Sequence, residues 1–404
     1  MSDTTTGPAN GPLTGTTILD LTRVLSGPYC TMMLADMGAR VIKVEQPGRG
    51  DDTRHWGPPF QHGESAYFLS VNRNKESLTL DLKHPDARAL LDRLIQRTDV
   101  LVENFRPGTM DRLGLGYDAL AARHPRLIYC SISGFGQTGP ARGRPGYDAV
   151  MQAESGLMSI TGAADGPPYR LGVAISDIVA GMFAAQGVTL ALLARSTSGR
   201  GQLVDIGMLD TAAALLTYQA GIYFATGASP GRMGNRHPTI MPYETFESSD
   251  GEFVIAVGND GLWRTLCQSI GLPELAVDPR FATNSQRVSQ ADVLRPVLSE
   301  RFATESSSHW IAVLTRAGIP CGSVRTVDEA LREPQLRARD MICELDHPVA
   351  GRIAVLGVPI KMSATPGRVR TAPPVLGQHT ESILREDAGL TPDDVERLWA
   401  AGVI

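Results

Sequence analysis

The sequence contains few cysteines, and none is spaced for a shared task. Five occur among 404 residues, no two of them in a CxxC pattern, which argues against both a disulfide framework and a zinc-thiolate site. The eight histidines form neither HxxxH nor HExxH, so the commonest metal-enzyme motifs are missing. We therefore expect no metal and a reducing, cytoplasmic environment.

Excess basic charge and long apolar stretches are also lacking. The formal net charge is −5, with 38 Lys and Arg against 43 Asp and Glu, which argues against nucleic acid as the main partner, although net charge says little about a local pocket. No run of 18 apolar residues occurs, and the N-terminus has no basic segment followed by an apolar one. The pattern therefore predicts a globular protein without a membrane partner.

The GxGxxG motif of dinucleotide-binding proteins is absent. The first β–α turn, at 22–27, carries a single glycine, so a dinucleotide cofactor bound in the usual Rossmann manner is not expected. Strand-like and helix-like segments nevertheless alternate, beginning with a strand at 16–21, a helix at 28–37 and a strand at 41–45. This alternation predicts an α/β fold with a mostly parallel sheet, whose ligands lie beyond the carboxyl ends of the strands.

The pattern changes after a stretch rich in Gly, Ser and Pro. Two strand-like segments, at 243–247 and 252–257, flank a Ser-Ser-Asp-Gly turn and predict a hairpin, which helical patterns follow. We predict a large α/β domain at 11–220, a linker at 221–238, a smaller α+β domain at 239–325, and a linker with a C-terminal return to the large domain at 326–404.

Asp177 stands out because of where its carboxylate falls. A strand-like stretch at 169–176 precedes it, and a helix rich in Gly and Ala follows. The first turn of a helix stabilises an anion through its unpaired N–H groups and the helix dipole, and small residues let a ligand approach closely. Asp177 is therefore a candidate reactive carboxylate. The alternative is an ordinary helix-capping aspartate.

Six segments of the chain resemble one known family. They are DLTRVLSGP at 20–28, ADMGARVIKVE at 35–45, VENFRPG at 102–108, SGFGQTGP at 133–140, PGYD at 145–148 and GNRHP at 234–238. Together they resemble the class III coenzyme A transferases, which include formyl-CoA:oxalate and carnitine CoA-transferases and relatives that use succinyl-CoA. The resemblance covers the chain from Leu13 to about Leu384.

The resemblance implies that Asp177 is a covalent nucleophile. In the family, an aspartate in such a segment attacks the acyl-CoA thioester, and CoA passes between two acids through an aspartyl anhydride and an aspartyl-CoA thioester. Coenzyme A is then a substrate, and no tightly bound cofactor is implied. By resemblance, CoA is held by Val24, Leu25, Ser26, Leu80, Lys83, Asn104, Phe105, Arg106, Arg112 and Tyr147, and Tyr67 lies beside the acyl group.

The resemblance also bears on the acid that is transferred. Arg236 and His237 could hold the distal carboxylate of a dicarboxylic acid, or could only tie the linker to the large domain. Leu25 stands where oxalate-directed members carry a glutamine, Gln46 stands where they carry an arginine, and their glycine run is missing near 234–262. We expect a succinyl-CoA donor and a dicarboxylate acceptor, with oxalate and formate as poor substrates.

Two other functions share parts of this pattern. The fold also supports α-methylacyl-CoA racemases, but those enzymes carry a histidine where this chain has Tyr147. A non-catalytic acyl-CoA-binding protein would have no need for Asp177. The resemblance further implies a Rossmann-like large domain built from both chain ends, a smaller domain, and a homodimer whose subunits interlock as rings.

Overall fold

The computed structural model describes residues 11–404, and its strands are short. They are β1 (Thr17–Asp20), β2 (Arg40–Glu45), β3 (Phe60–Gln61), β4 (Glu64–Ser65), β5 (Lys75–Thr79), β6 (Val100–Glu103), β7 (Ile128–Ser133), β8 (Leu203–Gly207), β9 (Tyr243–Glu247), β10 (Glu252–Ala256), β11 (Cys321–Ser323), β12 (Ile342–His347) and β13 (Gly351–Leu356).

Helices connect most of these strands, and short 3₁₀ turns at Asp52–His55 and Pro273–Ala276 add to them. The α-helices are α1 (Ser26–Asp36), α2 (Ala66–Val71), α3 (Pro85–Ile95), α4 (Thr109–Arg112), α5 (Tyr117–Arg123), α6 (Asp148–Glu154), α7 (Leu157–Ile160), α8 (Ile175–Ser198), α9 (Met208–Ala214), α10 (Thr217–Thr226), α11 (Asp260–Ser269), α12 (Asn284–Ser289), α13 (Ala291–Phe302), α14 (Ser307–Arg316), α15 (Val327–Leu331), α16 (Pro334–Ala338), α17 (Thr380–Glu386) and α18 (Pro392–Ala400).

The described chain divides into two compact units. The first comprises the chain up to Leu157 together with Arg170–Ala220 and Pro334–Ile404, and the second comprises Met158–Tyr169 and Gly221–Glu333. The first unit is therefore built from both ends of the chain. Residues 158–169, which the sequence analysis places in the large domain, belong to the second unit.

A six-stranded parallel sheet forms the centre of the first unit, in the order β5-β2-β1-β6-β7-β8. Neighbouring residues of β1 face opposite sides, so Ile18 packs with α1 and α8 while Leu19 packs with α3, α17 and α18. Because helices cover both faces, the central strands are buried and mostly apolar. The structure confirms the predicted α/β fold with its large parallel sheet.

Helix α8 packs against α1 at very short range because Gly181 has no side chain. A Cβ atom at Gly181 would lie 2.6 Å from the carbonyl oxygen of Ser26, closer than any side chain tolerates. The neighbouring positions Ala180 and Ala184 are also small and fully buried. This close approach places the first turn of α8, which includes Asp177, beside the N-terminus of α1.

Helix α8 is also long and apolar enough, by length and composition alone, to cross a membrane. It has 24 residues, and an 18-residue window within it has a mean hydropathy of 1.6. The helices at the cores of soluble proteins meet the same criterion, and Val179, Ala184 and Val188 are indeed buried in the first unit. Its outer face exposes larger apolar side chains, namely Met182, Phe183, Leu190 and Leu193.

The second unit contains a three-stranded antiparallel sheet in the order β11-β10-β9. Strands β9 and β10 form the hairpin that the alternating sequence pattern predicts. Helices α11, α13 and α14 cover this sheet, and their aromatic side chains fill its core. Phe302 packs edge-on against Trp310, with ring centroids 5.3 Å apart. Aromatic pairs favour this edge-to-face geometry.

Two expectations about single elements were wrong. Residues 170–174 form no strand, and α8 already begins at Ile175, so Asp177 is reached from a loop. Strand β5, at one edge of the sheet, was missed because its first three residues, Lys75, Glu76 and Ser77, are polar and give no apolar pattern. Lys75 and Ser77 are nevertheless buried, because each has polar partners inside the unit.

Candidate active site

Two cavities lie at the carboxyl ends of the parallel strands in the first unit. The outer cavity, of about 440 Å³, lies beyond β1, β2 and β5. The Asp177 cavity, of about 160 Å³, lies beside the N-termini of α1 and α8. Arg23 and Phe105 line both, so the cavities adjoin. This edge of the sheet is where α/β proteins bind their ligands.

Most of the sequence-predicted catalytic and CoA-binding residues line these cavities. Leu25 is the exception, because its side chain is buried in a small cluster with Met32 and Val71. The outer cavity is lined by Leu80, Lys83, Phe105 and Arg112, and the Asp177 cavity by Val24, Ser26, Asn104, Phe105, Arg106, Tyr147 and Asp177.

Asp177 lies in the first turn of α8, as predicted, and it is half-buried. Burial, followed by the negative charge of the nearby Asp148, raises the pKa of Asp177 to about 7. The hydroxyl and the backbone N–H of Ser26 oppose this rise by donating hydrogen bonds. The site therefore holds a carboxylate whose ionised form is less favoured than that of an exposed aspartate.

Tyr67 lies close to this carboxylate. Burial, followed by the negative charge of Asp177, raises the pKa of Tyr67 to about 12. The ring of Tyr67 packs edge-on against Trp56, with centroids 5.3 Å apart. Tyr67 therefore stays a neutral phenol near the reactive end of the site, where it can donate a hydrogen bond.

The loop after β1 contains a strained residue in the cavity wall. Val24 has a φ of 69°, a left-handed conformation that a β-branched residue rarely adopts and that costs about 1–3 kcal/mol. Its N–H donates to Asp51 Oδ1 at 3.2 Å. Asp51 in turn pairs with the fully buried Lys43 at 2.8 Å, and Lys43 donates to the carbonyl of Thr22 at 2.9 Å. This buried ion pair holds the loop in its strained shape.

Asn104 ties the loop after β6 to the loop after β1. Its Oδ1 accepts from the N–H of Arg23 at 2.9 Å, and its Nδ2 donates to the carbonyl of Arg23 at 2.7 Å. The N–H of Phe105 donates to Glu103 Oε2 at 2.8 Å. The side chain of Asn104 thus braces the cavity wall, and its predicted contact with CoA stays a prediction.

Sequence reasoning missed several charged residues of these cavities. Arg23 lies 5.4 Å from the centre of the Phe105 ring and 3.4 Å from Asp52. Arg49 lines the outer cavity and Arg144 the Asp177 cavity. The sequence signal for Arg49 and Arg144 was their position in turns rich in Gly, at 48–52 and 142–146. Each of these cations lies beside a carboxylate, Arg23 and Arg49 beside Asp52 and Arg144 beside Glu154.

Arg236 and His237 lie in the second unit, where both have local contacts. Arg236 Nε donates to the carbonyl of Met233 at 2.9 Å. The ring of His237 lies 5.2 Å from that of Tyr243, and the backbone N–H of His237 donates to the carbonyl of Tyr243 at 3.0 Å. These contacts hold the segment before β9. The predicted contact of these residues with a substrate carboxylate stays a prediction.

A family model for "CoA-transferase family III" matches residues 13–380. The chain belongs to this family. Three similar relatives are the succinyl-CoA:glutarate CoA-transferase of Mus musculus (43% identity, 97% of this chain and 90% of the relative), the acetyl-CoA:oxalate CoA-transferase of Acetobacter aceti (45%, 90% and 92%), and the succinyl-CoA:D-citramalate CoA-transferase of Chloroflexus aurantiacus (40%, 97% and 98%). The resemblance stated from the sequence is confirmed, and the chain is a CoA-transferase.

Solved structures of similar proteins share the fold of this CoA-transferase. A CAIB/BAIF family protein from Brucella suis is 42% identical, with a TM-score of 0.82 over 93% of this chain and 99% of that structure. A hypothetical protein from Mycobacterium tuberculosis is 32% identical, with a TM-score of 0.83 and the same coverage. As a CoA-transferase, the protein uses CoA thioesters as substrates.

Replacing Lys83 or Arg112 with alanine is expected to weaken the binding of free CoA. Each variant loses one charge-assisted contact, which contributes about 1.5–3 kcal/mol and corresponds to roughly 10- to 150-fold in Kd. Isothermal titration calorimetry with free CoA measures the change. Arg200→Ala is the matched control, because Arg200 is an exposed cation just before β8, at the opposite edge of the sheet. Unchanged affinity in both test variants would remove these residues from the CoA site.

Proposed function

We propose that this CoA-transferase moves coenzyme A from succinyl-CoA to a free dicarboxylate, with Asp177 as its covalent nucleophile. One observation carries the proposal: a half-buried carboxylate at a helix N-terminus lines a cavity that adjoins a second, cation-rimmed cavity. Relatives named for succinyl-CoA with glutarate or D-citramalate support these substrate classes.

The proposed reaction keeps one activated acyl bond at every stage. A carboxylate oxygen of Asp177 attacks the thioester carbon, the C–S bond breaks, and the CoA thiolate leaves a mixed anhydride. The thiolate then attacks Cγ of Asp177, which releases the donor acid and leaves an aspartyl-CoA thioester. The acceptor carboxylate attacks this thioester and expels the thiolate. The thiolate finally attacks the carbonyl carbon of the acceptor, which frees Asp177.

The surroundings of Asp177 suit this chemistry. Acylation turns the carboxylate into a neutral anhydride or thioester, so burial disfavours the free anion but not the intermediates. Burial also keeps water, which would hydrolyse them, away. In the described chain no histidine lines the Asp177 cavity, whereas a racemase of this fold needs a base pair that moves an α-proton. The site therefore supports transfer rather than racemisation.

Coenzyme A is proposed to lie along both cavities. Its phosphates would contact Lys83 and Arg112 at the outer cavity. The flexible ammonium of a lysine and the planar guanidinium of an arginine both bind phosphates well. Leu80 and Phe105 offer apolar contact there, and Arg23 stands where the two cavities meet. This path leads the thiol end toward Asp177.

Asp177→Ala is expected to abolish transfer while leaving the fold and CoA binding nearly intact, because it removes the nucleophile and little buried volume. In the wild-type enzyme, hydroxylamine added with acyl-CoA should trap a hydroxamate on the peptide that contains Asp177, as read by mass spectrometry. An acceptor labelled with ¹⁸O in its carboxylate should leave one labelled oxygen on Asp177, since that oxygen bridges the second anhydride.

Asp393→Asn serves as the control for that experiment. Asp393 is an exposed carboxylate in the first turn of α18, so it shares the local setting of Asp177 but not the cavity. Full activity and normal trapping are expected. A fully active Asp177→Ala enzyme, or label found only on other peptides, would refute the covalent mechanism.

The acid is proposed to be a dicarboxylate of succinate size or larger. Leu25 is buried in an apolar cluster and offers no polar group to the Asp177 cavity, and Arg236 and His237 offer cationic or hydrogen-bonding groups for a second carboxylate. Oxalate is the informative comparison, because the Acetobacter aceti relative is named for oxalate and acetyl-CoA. A panel of CoA donors and free acids, read by mass spectrometry, separates these possibilities.

Arg236→Ala is expected to raise the KM for glutarate about tenfold and to leave a monocarboxylate of similar length almost unaffected, because only the dicarboxylate loses an ion-paired contact. Steady-state kinetics with both acids measure the difference. Arg264→Ala, an exposed arginine of α11 in the same unit, is the control. Equal effects on both acids, or high activity with oxalate, would contradict the specificity proposal.

The enzyme is proposed to be cytoplasmic and to form an interlocked homodimer. The exposed apolar face of α8 supports a partner surface, because Met182, Phe183, Leu190 and Leu193 are exposed on one side of the same helix and contiguous apolar patches mark interaction sites. The segments at 227–238, after α10, and at 365–377 contain no helix or strand and are long for a compact domain, and long linkers are needed if each subunit encircles its partner.

Mixed native samples of tagged and untagged protein are expected to form no hetero-tagged dimers at room temperature, because interlocked rings separate only when a subunit unfolds. Pull-down followed by mass spectrometry measures the exchange. A mixture that is unfolded and refolded together is the control and should yield hetero-tagged dimers. Rapid exchange between native samples would contradict interlocking.

A further inference from the structure

Asp148 supports the helix that carries Asp177. Its Oδ1 accepts from the backbone N–H of Ser176 at 2.9 Å, and its Oδ2 accepts from Nε2 of Gln152 at 2.7 Å. Ser176 is fully buried, and its N–H belongs to the first turn of α8, where donors have no partner within the helix. Asp148 therefore caps α8 from a neighbouring element, directly beside Asp177.

Gln152 extends this support to the loop that leads into α8. It follows Asp148 by one turn of α6, is 1% exposed, and accepts from the N–H of Leu171 at 2.8 Å through Oε1. Asp148 and Gln152 thus hold both ends of the loop from Leu171 to Ser176. Because no strand fixes this loop, these side chains decide the direction from which Asp177 enters its cavity.

The charged and titratable groups around Asp177 come from several elements. Burial, followed by the charge of Asp148 on α6, raises the pKa of Asp177 to about 7. Ser26 at the start of α1 donates to Asp177 and opposes the rise, while Tyr67 on α2 faces it as a neutral phenol. The cations that line the same cavity are Arg23, Arg106 and Arg144.

We propose that Asp148 is a positioning residue for the transfer reaction: its carboxylate aims Asp177 into the cavity and places a second negative charge beside the nucleophile. The proposal rests on the proposed role of Asp177. Asp148 belongs to the PGYD segment at 145–148, whereas Asp177 lies at the start of α8. The hydrogen bond from the N–H of Ser176 to Asp148 connects these two segments.

The charge of Asp148 acts on one form of Asp177 only. It repels the free carboxylate but not the neutral anhydride or thioester, so it shifts the balance toward the covalent intermediates. A more basic carboxylate is also the stronger nucleophile toward a thioester. The bond to Ser176 keeps Asp148 from turning away from its neighbour, so the repulsion persists.

The test separates the charge of Asp148 from its anchoring. Asp148→Asn removes the charge and keeps an oxygen that can accept from Ser176. We expect the acid limb of kcat/KM to move to lower pH by roughly one unit, and kcat above pH 8 to fall about tenfold. The matched variant Gln152→Leu releases Leu171 without a change of charge, and should lower kcat with no movement of the acid limb.

Asp148→Ser, which retains an oxygen able to cap the helix, takes the place of the asparagine variant if that variant does not fold. A wild-type rate and pH profile, or a loss of kcat without a shift of the acid limb, would overturn the proposal. Hydroxylamine trapping distinguishes the failures. Label on Asp177 with an unshifted profile refutes only the role of Asp148, whereas an active Asp177→Ala enzyme refutes the nucleophile itself.

Discussion

The buried ion pair between Lys43 and Asp51 is the interaction on which the rest of the site depends. Both side chains are fully buried, and removal of one partner from such a pair costs about 3–5 kcal/mol because the other charge is left alone. Burial by itself raises the pKa of Asp51. The ammonium of Lys43 and the hydrogen bonds from Thr53 outweigh burial and bring this pKa down to about 2. Asp51 thus remains a carboxylate that can hold the N–H of the strained Val24. The wall of the Asp177 cavity follows from this chain of contacts.

Asp177, the proposed nucleophile, has the opposite shift, because its pKa is raised whereas that of Asp51 is lowered. Asp51 has a cation within hydrogen-bonding distance, whereas Asp177 has burial and a second carboxylate on one side and only the donors of Ser26 on the other. The same residue type therefore serves two purposes, because the neighbours decide which protonation state is favoured. Asp51 is held as a stable anion, whereas the ionised form of Asp177, the proposed nucleophile, is disfavoured by its surroundings.

Much of the fold could be predicted because it depends on local patterns. Alternating strand and helix signals predicted the parallel sheet, and the position of Asp177 in the first turn of a helix followed from the small residues after it. Strand β5 escaped prediction because Lys75 is buried only through partners elsewhere in the chain: its Nζ donates to the carbonyl of Pro28 and to Asn72, and it lies 3.4 Å from Asp20. Such partners leave no periodic signal in the strand itself.

The sequence by itself determined the fold class, the family and the identity of the candidate nucleophile, since short motifs and hydrophobic periodicity encode all three. Only the tertiary structure decided which side chains surround that nucleophile. In the structure, Asp148 contacts the N-terminus of α8, Asn104 hydrogen-bonds to the loop after β1, and Leu25 is buried in an apolar cluster. The physical reason is that these contacts join residues far apart in the chain. Their meeting depends on strand order and on the close packing of α1 against α8, which no local pattern specifies.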